Sequence, residues 1–290
     1  ETSCAYGNST CNTCNANCSA EITGLVGATC GDGNLDLNTE EECDDGSESV
    51  ACSSDCKVKT ENAFISTWQT SAANESITIP TDSSLTYNYT INWGDGTPLE
   101  TITSASSPTH TYATAGDHTV TISGTFPTIQ FLNTGDKDKI IAIPNLGDVG
   151  WTSFWQAFSG CSNLGEVSGG NTSNVTDMSY MFRDSPANPD TSGWDTSNVT
   201  KMGMMFANMT SASFTSPDML DTSNWDTSSV TDMGYMFYGS SANPDVSGWD
   251  TSNVISMYQM FKGATNANPD TSGWSLAGLP IDPVVTDELK

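Results

Sequence analysis

The feature that most constrains this 290-residue chain is a phrase it repeats. Trp-Asp-Thr-Ser-Asn-Val-Thr-x-Met-x-x-Met-Phe recurs with small changes, from Asn171 to Phe182 without the Trp, then over Trp194–Phe206, Trp225–Phe237 and Trp249–Phe261. Val175, Val199, Val230 and Val254 mark steps of 24, 31 and 24 residues, the long step holding an insertion around Ser213 to Leu220. A near-fixed period of this size calls for stacked supersecondary units and not for one compact core. Within a unit, Val199, Met202, Met205 and Phe206 fall at i, i+3, i+6 and i+7, the spacing of one face of a short helix. Asp177 and Asp232 sit near the start of theirs, where an acid favours the helix dipole. Asn-Pro-Asp turns (Asn188 to Asp190, Asn243 to Asp245, Asn268 to Asp270) stop each unit. Stacking aligns the Trp, Val, Met and Phe positions into one interior and leaves the polar residues between them as the binding surface, on a face the repeat itself does not single out.

These units resemble those of the BspA-like leucine-rich-repeat surface proteins, which read WDTSNVTDMSYMF. The likeness continues upstream through Trp151 to Leu164 and Gly135 to Ile141. The resemblance implies a bacterial surface protein whose solenoid serves adhesion or partner binding. Such units often carry a cysteine after Met-Phe. Here Arg183-Asp184-Ser185 follows, which leaves Cys161 unpaired.

Residues 62–142 have a different character. Ser76-Ile-Thr-Ile-Pro80, Leu85 to Trp93 and His118 to Ser123 alternate apolar and polar residues, the signature of half-buried antiparallel strands. Gly94-Asp95-Gly96 and Gly116-Asp117 supply turns. The phrases Tyr89-Thr-Ile-Asn-Trp93-Gly-Asp-Gly96 and His110-Thr-Tyr112…Gly116-Asp117-His118-Thr-Val-Thr together resemble a PKD-type β-sandwich, an accessory module of many surface proteins. Asn92 stands where such domains often carry Asp. Asp95 is a turn former or a cation ligand, and turn formation is favoured because its side chain caps local backbone.

Eight of the nine cysteines lie between Cys4 and Cys56: Cys4, Cys11, Cys14, Cys18, Cys30, Cys43, Cys52 and Cys56. A segment this short builds little apolar core, so four disulfides in an oxidising compartment are the favoured reading. Zinc is the rival, given Cys11-x-x-Cys14 and Cys52-x-x-x-Cys56. Cys30-Gly-Asp-Gly and Glu41-Glu42-Cys43-Asp44-Asp45-Gly46, closed by Cys52-Ser-Ser-Asp-Cys56, resemble the Cys-rich repeat of bacterial extracellular proteins. Asp32, Asn34, Asp36 and Asn38, followed by Glu42 and Asp45, alternate like the oxygen ligands of a calcium loop, although Leu37 and Cys43 replace the Gly and Glu of an EF-hand. Calcium is therefore the one cofactor considered, against a solvated acidic loop held by Cys30 and Cys43.

The expected fold class is multidomain, mixed β and α+β: a disulfide-rich module over 1–61, a PKD-like β-sandwich over 62–142, a short leucine-rich-repeat-like solenoid over 143–275, and a tail or cap over 276–290. With 8 basic and 35 acidic side chains the net charge is −27. Such a surface repels phosphates and anionic headgroups, which excludes nucleic acid as a partner. No apolar run reaches the length of a membrane span, so membrane insertion is not expected. The opening at Glu1 without Met reads as a processed N-terminus. Two histidines, no Gly-x-Ser-x-Gly and no His-Glu-x-x-His argue against an enzyme. The expected function is that of a non-catalytic, secreted bacterial cell-surface protein that binds a protein or surface ligand through its solenoid. The alternative is a structural subunit that assembles with copies of itself into a filament or sheet, prompted by Cys161 and by solenoid ends that lack a polar cap. A ladder of Asp195, Asp226 and Asp250 could collect ions, but Asp before Thr-Ser more often bonds nearby backbone.

Overall fold

The computed structural model describes residues 11–14, 21–25, 62–210, 220–275, 277 and 279. The chain divides into two compact units, Glu1–Asn62 and Ala63–Lys290. In the first, β1 (Cys11–Cys14) pairs antiparallel with β2 (Glu21–Leu25), placing Thr13 opposite Ile22. The other six N-terminal cysteines, and Asp32, Asn34, Asp36, Asn38, Glu42 and Asp45, lie outside the described residues, as do the side chains of Cys11 and Cys14.

The second unit holds β3 (Phe64–Thr70), β4 (Glu75–Thr78), β5 (Asn88–Asn92), β6 (Glu100–Ile102), β7 (Thr109–Tyr112), β8 (Gly116–Thr125), β9 (Ile140–Asn145), β10 (Glu166–Val167) and β11 (Asn188–Pro189). One sheet runs in the order β11-β10-β9-β3-β8-β5-β6, and β4 and β7 form a second, two-stranded layer. The central strand β3 alternates buried and half-exposed residues, and pairs antiparallel with β8 from Phe64↔Ile122 to Thr70↔Gly116. Its burial follows from that alternation, because successive side chains leave opposite faces of a strand. Trp68, Ile77, Tyr89, Ile91, Trp93, Tyr112, Val120 and Phe126 fill the space between the layers. On the other side of β3, β9 pairs antiparallel, and β10 and β11 follow it in parallel. The sandwich sheet thus continues into the repeats, and the first coil is built directly upon it.

The α+β part of the expected fold class is overturned. The described residues contain strands and turns and no helix. They lend no support to a disulfide-rich module either, since its cysteine side chains fall outside them. The helix expectation failed for an identifiable reason. Val199, Met202, Met205 and Phe206 do all point inward. However, the backbone is a string of β-turns: Met205 N donates to Met202 O (3.2 Å) and Ala207 N to Met204 O (3.2 Å). Turns of this type share the i, i+3 spacing with a helix. What differs is where alternate amides go. Met202, Met204, Phe206 and Asn208 donate to Asp232, Gly234, Met236 and Tyr238 of the next coil at 2.7–2.9 Å. Gln156, Tyr180, Met204, Tyr235 and Gln259, one residue per coil at the same register, take a left-handed backbone (φ 50 to 61°) that a helix cannot contain.

Stacked coils bring like residues into columns. Phe158, Phe182, Phe206, Phe237 and Phe261 stack at centroid separations of 5.3 to 5.9 Å, and Trp194, Trp225, Trp249 and Trp274 at 6.0 to 6.4 Å. The columns run unbroken across the 31-residue step, so its extra residues leave the stack undisturbed. Buried threonines tie each coil to the next: Thr172, Thr196, Thr227 and Thr251 donate through Oγ1 to the carbonyls of Asp195, Asp226, Asp250 and Ser275 at 2.9–3.0 Å. Thr-Ser-Asn therefore recurs because a small β-branched hydroxyl fills a buried site and satisfies a carbonyl there.

Candidate functional site

Two clusters of polar and aromatic side chains could carry function. The first lies at the end of the sandwich. Gly94 follows Trp93 with φ 78°, and its amide is accepted by Asn92 Oδ1 at 2.9 Å. Asn92 thus caps the turn with an oxygen that either Asn or Asp supplies. Asp95 Oδ1 accepts from Thr97 N (3.1 Å) and Oγ1 (2.6 Å), and its Oδ2 faces His110 Nε2 at 2.8 Å. The His110 ring stacks on Trp93 (4.8 Å), and Tyr112 stacks on His118 (3.5 Å) while its hydroxyl donates to Trp93 O at 2.8 Å. His118 Nε2 meets Thr70 Oγ1 at 2.9 Å. Both histidines and Asp95 are consumed in tying strands together, which is the turn-forming role favoured for Asp95.

This cluster makes a pH prediction. Partial burial pushes Asp95 up, but hydrogen bonds from Thr97 and His110 outweigh it and hold the carboxyl at about 2, against an ordinary 3.8. A carboxylate with a depressed folded pKa stabilises fully above its unfolded value, and that stabilisation disappears as pH falls through the folded one. Asp95→Asn should therefore melt lower than the parent at neutral pH. The gap between the two should close as pH falls from about 4 to about 2. A gap that stays constant with pH would remove the carboxylate from the account.

The second cluster is the outer surface of the solenoid, whose sides differ in kind. Along its two turn edges the carboxylates are bound to their own loops. Asp195 Oδ1 accepts from Ser197 N and Oγ (3.0 and 2.6 Å), Asp226 from Ser228 (2.9 and 2.6 Å), and Asp250 from Ser252 N (2.9 Å). Asp190, Asp221, Asp245 and Asp270 do the same one turn earlier with Ser192, Ser223, Ser247 and Ser272. The hydroxyl and amide of the partner serine hold Asp195, Asp221, Asp245 and Asp270 below the usual carboxylate range; for Asp250 the amide of Ser252 leads. The ladder of Asp195, Asp226 and Asp250 is thus a row of backbone caps, and no group of metal-ligating side chains occurs among the described residues. Asp177 and Asp232, expected at helix starts, instead accept from Ser179 N (2.8 Å) and Gly234 N (2.9 Å) and cap turns.

The remaining side is formed by the Met-x-x-Met-Phe runs, and there the coils differ from one another. Inward positions hold Met, Met and Phe almost throughout. The position before the left-handed residue is Trp155, Ser179, Gly203, Gly234 and Tyr258 in successive coils, exposed at Trp155 and Tyr258 and buried in the three between. The left-handed residue itself is Gln156, Tyr180, Met204, Tyr235 and Gln259, and the position after Phe is Ser159, Arg183, Ala207, Tyr238 and Lys262. Tyr235 lies edge-on to Tyr238 (5.8 Å) and Tyr258 (5.2 Å), and the Arg183 guanidinium sits 5.8 Å above the Tyr180 ring. This face was not singled out from sequence, although the x positions of the phrase carry its signal. Cys161 lies inside the first coil, a buried free thiol whose pKa burial drives far up. An unreactive thiol is the consequence.

Two family models match the chain. One, described as PKD domain, matches residues 64–125, and one described as Mycoplasma protein of unknown function, DUF285, matches residues 152–274. No curated protein and no solved structure matches. Residues 64–125 therefore match a PKD domain, the resemblance that their two phrases carry. The match over the repeats carries the DUF285 description, and no match extends to a BspA-like leucine-rich repeat or to the Cys-rich segment. Neither matched family is catalytic, and the pair is consistent with a surface-type protein. No helix among the described residues is long and apolar enough to cross a membrane.

Proposed function

We propose that this chain is a non-catalytic, secreted cell-surface protein of adhesion type, and that it binds a protein ligand with the outward face of its Met-x-x-Met-Phe runs. One observation carries the reading. Four coils keep Met, Met and Phe in the interior, and the first has Phe154, Ala157 and Phe158 there, while the other side chains of this face change from coil to coil, including Tyr180, Arg183, Met204, Tyr235 and Tyr238. A constant stack with a varied face is how a repeat array presents a specific surface. Tyrosine and arginine are the side chains that contribute most per contact at protein interfaces. The turn edges suit this role less, because their carboxylates are occupied by their own loops. The non-catalytic part of the reading is supported by the engagement of both histidines in sandwich packing.

Assembly into a filament by end-to-end stacking is the weaker reading. Among the described residues the N-terminal end of the solenoid is closed by the sandwich: Thr152 N donates to Pro127 O (2.9 Å), and Phe131 N to Ala157 O (3.2 Å).

The test is binding of the full chain and of a Tyr180→Ser/Tyr235→Ser variant to a panel of immobilised extracellular-matrix proteins. We expect the parent to bind at least one of them and the variant to bind it about tenfold or more weakly, with an unchanged melting temperature. Failure of the parent to bind any, or equal binding by the variant, would overturn the assignment of this face.

A further inference from the structure

Each of the first four coils passes hydrogen bonds forward. Met233, Tyr235, Phe237 and Gly239 donate their amides to the carbonyls of Ser256, Tyr258, Met260 and Lys262 at 2.8–2.9 Å. In the coil that receives them, the equivalent amides are those of Met257, Gln259, Phe261 and Gly263. None of the four has an acceptor among the described residues. The carbonyls between them are already taken by the preceding coil, and those of Met257, Gln259 and Phe261 by turn bonds from Met260, Lys262 and Ala264. Among the described residues the coil therefore presents a row of donors with no acceptors.

Two side-chain observations concern the same edge. At the register where earlier coils place Thr152, Thr176, Thr200 and Thr231, this coil places Ile255, which is 60 % exposed. Where the two preceding coils place Gly203 and Gly234, it places Tyr258, which is 46 % exposed. Of the described coils this one has the more apolar edge. In a chain of net charge −27, the run Val254 to Ala264 also contains no acid and one cation, the exposed Lys262. The hydrophobic interior is nevertheless closed here, with Phe261 and Trp274 only 2 % and 9 % exposed and Leu279 packed against the core. What has no partner among the described residues is the backbone edge with its apolar and cationic border.

We infer that this edge is a docking site for an extended acidic polypeptide segment of a partner protein, which adds in parallel as one further coil. The chemistry selects that occupant. A donor-only row needs backbone carbonyls, as in strand addition at a sheet edge. A second copy presenting the same edge would set donors against donors. A second copy presenting its first coil would find that coil already sealed by the sandwich. Ile255 and Tyr258 need an apolar side chain over them, and Lys262 favours a carboxylate. The inference rests on the protein-binding reading above and narrows it to one place.

The experiment is residue-resolved amide exchange on the full chain, with a synthetic peptide of residues 225–239 as the probe. That peptide is a native coil carrying Asp226 and Asp232. The amides of Met257, Gln259, Phe261 and Gly263 should exchange fast in the free chain. They should slow about tenfold or more with roughly 1 mM peptide. Ile255→Asp/Tyr258→Asp, which changes exposed residues only, should abolish the slowing at an unchanged melting temperature. Protection already present in the free chain would mean that the chain covers its own edge, and would overturn the proposal. So would the absence of slowing with peptide, or slowing retained by the variant. Tyr180→Ser, three coils away from this edge, should leave the slowing intact, so failure at the edge and failure of the lateral face are read separately.

Discussion

Replacing Phe206 with alanine is expected to lower the unfolding free energy by about 3–5 kcal/mol, the range for a large aromatic removed from a filled core. Phe206 is fully buried, stacked between Phe182 (5.9 Å) and Phe237 (5.3 Å) and lying against Trp225 (6.2 Å). The cavity cannot close easily, because the coils on both sides are held at their spacing by amide and threonine hydrogen bonds. Since each coil contacts only its neighbours, the loss also weakens the coupling between the two halves of the stack. Urea denaturation gives the value. Tyr258→Ala, at an exposed position, should shift the same curve by less than about 0.5 kcal/mol. A Phe206→Ala loss under about 1 kcal/mol would mean that the phenylalanine column is not the interior of the repeats.

Gly94→Ala should cost about 2–5 kcal/mol, from a left-handed backbone together with a steric clash. A Cβ on Gly94 would lie 2.1 Å from the carbonyl oxygen of Thr119, where no side chain can rotate away. Gly96 provides the comparison, because its φ of 82° is similar but a Cβ there meets nothing within 4 Å. Gly96→Ala should therefore cost only the conformational part, about 1–2 kcal/mol. Thermal melts of the two variants decide the matter. Equal losses would show that the approach of the Trp93–Gly96 turn to β8 contributes nothing to its requirement for glycine.

Much of this architecture is readable before any coordinates. The alternation in Tyr89-Thr-Ile-Asn-Trp93 and His118-Thr-Val-Thr-Ile122 places β5 and the core of β8. The same alternation in Phe64-Ile-Ser-Thr-Trp68 went unremarked, although it forms the central strand. The preference for turn capping over ion binding at Asp195, Asp226 and Asp250 agrees with their serine partners. Local hydrogen bonding of this kind depends on residues two apart and is a property of sequence.

By itself, then, the sequence determined which side chains are interior, where the chain turns, and that like residues meet like residues in columns. Spacing encodes these outcomes, because burial of Val, Met, Phe and Trp is driven by area and does not depend on the partner's identity. Tertiary structure alone decided whether the repeated run is a helix or a chain of turns. An i, i+3 pattern serves both. The choice rests on alternate amides finding carbonyls in the next coil, more than twenty residues away. The same long-range pairing decided which side of the solenoid carries its variable residues and which end is sealed, since the segment from Pro127 to Leu132 closes the first coil while the amides of the last described coil find no acceptor among the described residues.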